Sequence, residues 1–181
     1  MVAVVFGGPS LFGIDLPIPE VVVLPPAAQG DVLAALRKHH PAVIGLLDCD
    51  LPHRSLPTWH KEILYALDAG VRVVGAAAVG AHRAAELASC GMEGVGSIFR
   101  RVASGELERD DEVLGDWEMG PDGIRILSAP LVVMRDVLRA AATERILPET
   151  ATHALTRAAE GLFWRRRTWE AWALEQAGTR E

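Results

Sequence analysis

Cysteine is scarce in this chain: Cys49 and Cys90 are the two in 181 residues, and they have no Cys-x-x-Cys spacing. That excludes a disulfide scaffold and offers no zinc-ligand pattern, so the sequence is read as that of a cytoplasmic protein with no metal. Long hydrophobic runs are absent too. None approaches the ~18 residues of a membrane span, so a spanning helix is excluded. Positive charge is in deficit, with 18 Lys+Arg against 24 Asp+Glu and a net charge of -6. Such a chain has no general field to attract nucleic acid, and a basic partner site must be a local patch. The apolar opening Met1 to Phe6 has no basic stretch before it and is cut by Gly7-Gly8-Pro9, so it is not expected to be a signal peptide. What is present is a half-hydrophobic composition with mean hydropathy +0.19, enough for a sizeable core.

The pattern along the chain is α/β. Val2 to Phe6, Val21 to Leu24, Val43 to Leu47 and Val71 to Val74 are Val-rich runs closed by Gly, Pro or Asp, as expected of strands buried on both faces. Between them, the stretch opening at Asp31 and ending before Pro41, Pro57 to Ala69 and Ala81 to Cys90 carry helical periodicity, the last two stopped by Gly70 and Gly91. This alternation predicts right-handed crossovers and a Rossmann-like open, mostly parallel sheet flanked by helices. Residues 1–128 are assigned to that core and 129–181 to a C-terminal helical extension packed on it. The extension consists of helices over 131–147 and 149–177, the second with Leu155, Leu162 and Trp169 seven apart.

In such a sheet, function gathers at the carboxyl ends of the strands. Ser10 follows the first strand, Asp48 the third, and the turn Gly75 to Gly80 the fourth. The turn has the spacing of a phosphate loop but Ala81 and His82 where Lys and Ser/Thr are required. What remains is a helix N-terminus whose N–H groups near Ala78, Val79 and Gly80 suit an oxyanion, or else small residues for close packing. His60 stands in the first turn of its helix, where the macrodipole favours neutral imidazole and hence a general base; a structural histidine beside an apolar stripe is the plainer alternative. Arg83 and Glu86, three apart on the next helix, are a surface pair or, with Arg83 turned inward, an anion anchor. Cys49 lies between two aspartates that oppose thiolate formation. Asp110 to Glu112 reads as a helix cap rather than a metal site ahead of Val113, Leu114 and Trp117. Arg165 to Arg167 is either a solvated helix face or a dock for an acidic partner.

These segments together resemble the TfuA-like family. The matching pieces include Gly8-Pro9-Ser10, Ile44 to Asp48, Trp59-His60-Lys61-Glu62-Ile63-Leu64, Gly75 to Leu87, Gly91-Met92 and Gly105 to Val113, in the family's order across residues 6–115. The resemblance implies a partner of YcaO-type enzymes in ribosomal peptide modification. In the thioamide-forming branch it implies hydrolysis of a ThiS-like carrier's C-terminal thiocarboxylate, releasing sulfide. The ATP consumed there belongs to the YcaO enzyme, so no cofactor is expected here. One departure stands out: Ala78, Val79 and His82 occupy places where the family usually has Ser, Met and Leu.

The catalytic set is therefore His60 as base, with Glu62 or Asp48 orienting it. Ser10, Ala78, Val79, Gly80, Arg83 and Glu86 are the substrate-binding set. If the family's serine is the nucleophile, Ala78 has lost it and the protein is a non-catalytic YcaO-binding module. A nucleoside-processing enzyme of similar architecture, resting on Gly8-Pro9-Ser10, is a third reading by fold analogy.

Overall fold

The computed structural model describes residues 2–14, 18–49, 55–121, 123–170 and 172. The chain forms two compact units, Met1–Glu108 and Arg109–Glu181. The division falls between Glu108 and Arg109, whereas the sequence reading set its boundary after residue 128.

The first unit is an open α/β sheet. Its strands are β1 (Ala3–Phe6), β2 (Val21–Leu24), β3 (Val43–Leu46), β4 (Arg72–Gly75) and β5 (Glu93–Gly94); they lie in the order β2-β1-β3-β4-β5, every pair parallel. The crossover helices are α1 (Asp31–His39), α2 (His60–Asp68) and α3 (Val79–Glu86), followed by α4 (Gly96–Ala103). Helix α1 forms where the sequence places Asp31 in its first turn and Arg37, Lys38 and His39 in its last, each matched to the macrodipole. Val4, Phe6, Ile44, Leu46 and Val73 cluster with Val32 and Ala35 of α1, Ile63 and Ala66 of α2 and Ala84 of α3. Each large side chain buried there stabilises the fold by about 1.5–3 kcal/mol.

The expectation of strands buried on both faces is corrected. Burial alternates along β1 and β3, Val5 and Val43 are half-buried, and Val23 is exposed. The reason is topological. Right-handed crossovers from β1 to β2 and from β2 to β3 run in opposite directions across the sheet, so they lie over opposite faces. The β1–β2 connection carries a single 3-10 turn, Pro9–Leu11, and no α-helix among the described residues.

In the second unit, β6 (Trp117–Gly120) and β7 (Gly123–Ile126) form an antiparallel hairpin, and α5 (Leu131–Thr143) and α6 (Glu149–Gly161) pack through Leu131, Met134 and Ala159. Trp117, expected to follow a cap into a helix, opens a strand instead. Asp116 directs it, accepting from the Trp117 N–H at 3.0 Å while its carbonyl accepts from Leu127 at 2.8 Å. The helix expected over 149–177 ends at Gly161. Leu162 is extended, a 3-10 turn follows at Trp164–Arg166, and 173–177 lie outside the described residues. The heptad Leu155, Leu162, Trp169 is therefore not one seam: Leu162 is buried, Leu155 half-buried and Trp169 exposed.

The basic-patch reading of Arg165 to Arg167 is likewise corrected. The Arg167 side chain is 1% exposed and bonds to the Asp111 carboxylate and to the carbonyls of Asp111 and Leu162; Arg165 pairs with Asp116 at 2.9 Å. Glu112 is paired with Arg135 at 2.6 Å. Two carboxylates of the 110–112 run are thus engaged by arginines, and that stretch is a 3-10 turn, close to its reading as a cap.

Candidate functional site

Because β1, β3 and β4 are adjacent and parallel, Ser10, Asp48 and the Gly75–Gly80 turn stand at one edge of the sheet, as the strand pattern implied. The chain reverses direction across the sheet between β1 and β3, which puts Ser10 and Asp48 at the switch point. Asp48 is buried and organises the loop after β1. Its Oδ2 accepts from the Gly8 N–H at 2.8 Å and the Ser10 N–H at 3.0 Å, and its Oδ1 accepts from the Ser10 hydroxyl at 2.7 Å. A carboxylate with three donors suits burial, since its charge is met by hydrogen bonds.

The turn after β4 is built by close approach. A Cβ on Gly80 would overlap the Leu46 carbonyl, and one on Gly75 would overlap the Gly80 carbonyl, so only glycines let α3 start against the end of β3. Ala77 is left-handed at φ 56, a conformation that costs a non-glycine residue about 1 kcal/mol or more and that concentrates at functional turns. Gly80 donates its N–H to the Leu47 carbonyl at 3.2 Å, which removes it from the expected oxyanion donors. His82 is buried on α3.

His60, Arg83 and Glu86 come together across α2 and α3. His60 Nε2 lies 2.7 Å from Glu86 Oε2, and Arg83 donates to the same oxygen at 2.6 Å. Burial raises the Glu86 pKa, but the bonds from Arg83 and His60 outweigh it and hold the carboxyl below its usual value. An ionised Glu86 can only accept, so the neutral imidazole carries its proton on Nε2 and keeps a lone pair on Nδ1. The imidazole is 45% exposed, whereas Arg83 is 11% exposed. Among the described residues, Arg83's buried Nε has no hydrogen-bond partner. His60, Lys61 and Arg83 line a cavity of about 360 Å³ with Pro57, Thr58 and Trp59.

The carboxylate on His60 is thus Glu86, not Glu62 or Asp48. Buried Glu62 faces away, accepting from the Gly30 N–H at 2.8 Å and the Trp59 N–H at 3.3 Å. It pins the start of α2 to the start of α1. The Cys49 thiol, 3.8 Å from the Thr58 hydroxyl, is pushed by burial up to about 11 despite that hydrogen bond and the Arg83 charge, and is not poised as a nucleophile.

The fold and this edge define an open-sheet α/β protein with a cationic, histidine-bearing cavity at the carboxyl ends of its strands. The model of TfuA-like proteins matches residues 51–168, more than half of the chain, and the chain belongs to that family. The match includes the cavity, the His60–Glu86–Arg83 cluster and α6, which the motifs read from the sequence did not reach; Ser10 and Asp48 precede it. No curated protein matches the chain. Among the described residues, no helix is long and apolar enough to cross a membrane.

Proposed function

We propose that this protein serves YcaO-dependent ribosomal peptide modification in the cytoplasm, releasing sulfide by hydrolysing the C-terminal thiocarboxylate of a ThiS-like carrier. The observation that carries this reading is the sharing of Glu86 by His60 and Arg83 at the mouth of a cavity. Arg83, nearly buried, holds the anionic end group, and its charge cannot be titrated away. His60 Nδ1 takes a proton from water as the water oxygen bonds to the thiocarboxylate carbon. The carbon–sulfur bond then breaks and its electron pair leaves on sulfur; His60 returns its proton to that sulfur, so hydrosulfide departs, and the carboxylic acid left on the carrier gives its remaining proton to solvent and becomes a carboxylate. Glu86 stabilises the imidazolium formed in between, and the Val79 N–H at the start of α3 is assigned to the developing oxyanion.

Ala78 favours a second reading. Without a hydroxyl there, the turn cannot form a covalent intermediate, and the protein would recruit or activate a YcaO enzyme without chemistry of its own. Sulfide release from a thiocarboxylated carrier by the purified protein separates the two. The hydrolase reading expects turnover that falls about 10²- to 10⁴-fold in His60→Ala, and the module reading expects none.

A further inference from the structure

Two residues beside the His60 cluster have no place in the chemistry above. Trp59, immediately before α2, lines the same cavity, yet the residue is 49% exposed and no ring or hydrogen bond engages its indole among the described residues. Its backbone is not free: the N–H is held by Glu62, which also binds Gly30, so the indole is carried on a fixed support. Lys61, one residue past His60, lines the cavity as well and has no carboxylate partner among the described residues. In a chain of net charge -6, Lys61 beside the Arg83–Glu86 pair leaves this cavity with a local excess of positive charge.

Resting on the hydrolase reading, we propose that Trp59 and Lys61 form a lip that selects a protein-borne peptide tail over a free small thioacid. With the terminal anion on Arg83, the residues behind it must cross the rim. An exposed indole offers a flat face for an extended peptide and an N–H for one of its carbonyls, as aromatic anchors do in other interfaces. Lys61 supplies the charge that draws an acidic carrier toward an otherwise repelling surface. The chemistry would need neither side chain for a substrate as small as thioacetate.

The test compares thiocarboxylated ThiS-like carrier with thioacetate, and also measures binding of the same carrier ending in an ordinary carboxylate. Trp59→Ala and Lys61→Glu are each expected to raise KM for the carrier about tenfold, with kcat unchanged, and to weaken carboxylate-carrier binding equally; that is the effect of a modest interface anchor. Kinetics on thioacetate should not move in Trp59→Ala. Trp59→Phe, which keeps the ring without the N–H, should fall between wild type and alanine and guards against a folding defect. The lip is refuted if Trp59→Ala leaves carrier KM and affinity unchanged, or shifts both substrates alike. If the carrier binds in a Trp59-dependent way but no sulfide is released, the lip stands and the hydrolase reading fails.

Discussion

Removing the Asp48 carboxylate should loosen the switch-point edge of the sheet by a calculable amount. In Asp48→Ala, the N–H groups of Gly8 and Ser10 and the Ser10 hydroxyl lose their acceptor together. Gly8 is buried, so its N–H bears most of the desolvation cost, while Ser10 is half-buried and can partly recruit water. At about 1–3 kcal/mol per orphaned donor, the loss is about 3–5 kcal/mol. Asp48→Asn is a different perturbation. Its carbonyl can still receive the two N–H groups, and its amide can donate to the Ser10 hydroxyl, so only the charge assistance is lost, about 1–2 kcal/mol. Urea unfolding gives the two values, and amide exchange at Gly8 and Ser10 locates them. If alanine costs less than about 0.5 kcal/mol, or asparagine costs as much as alanine, Asp48 does not organise this loop as described.

Gly80→Ala should destabilise the first unit by more than about 3 kcal/mol in the same unfolding experiment, since the new methyl group meets the Leu46 carbonyl and backbone cannot step aside. Arg167→Met leaves the Asp111 carboxylate without its buried partner and should cost about 3–5 kcal/mol, whereas the exposed neighbour Arg166→Met should cost less than about 0.5. The depressed pKa of Glu86 means that its contribution is present above pH 4.5 and lost as pH falls through the lower folded value. Because 42% of its side chain is exposed, screening keeps the contribution below about 1 kcal/mol; stability measured on both sides of pH 4.5 should show an acid-side loss that Glu86→Gln removes.

Much of the first unit was legible because short Val-rich runs bounded by Gly, Pro and Asp leave few alternatives to parallel strands, and the carboxyl-edge location of Ser10, Asp48 and the Gly75–Gly80 turn followed from that. The partner of His60 was not legible. Glu86 is 26 residues away, and it meets His60 only because α2 and α3 flank adjacent strands. Its one signal was the Arg83–Glu86 spacing on the face of α3 that follows the turn. Glu62 is closer in sequence but two residues along a helix, about 200° around the axis, and its bonds instead tie α2 to Gly30. The second unit was harder because its charges pair over long separations. Arg165 and Arg167 read locally as part of a basic run and Asp111 as part of an acidic run, whereas Arg167 pairs with Asp111 and Arg165 with Asp116, and the helix break at Leu162 depends on contacts that no periodicity encodes.

The central claim is that His60, held by Glu86 beside Arg83, activates water, and that hydrolysis proceeds without a hydroxyl at Ala78. Its most direct measurement is the rate of sulfide release from thiocarboxylated ThiS-like carrier by wild type, His60→Ala and Ala78→Ser, assayed without a YcaO enzyme. The account expects slow but real release by wild type, a loss of about 10²- to 10⁴-fold in His60→Ala, and a gain in Ala78→Ser. No release by wild type, or equal rates for wild type and His60→Ala, would contradict it.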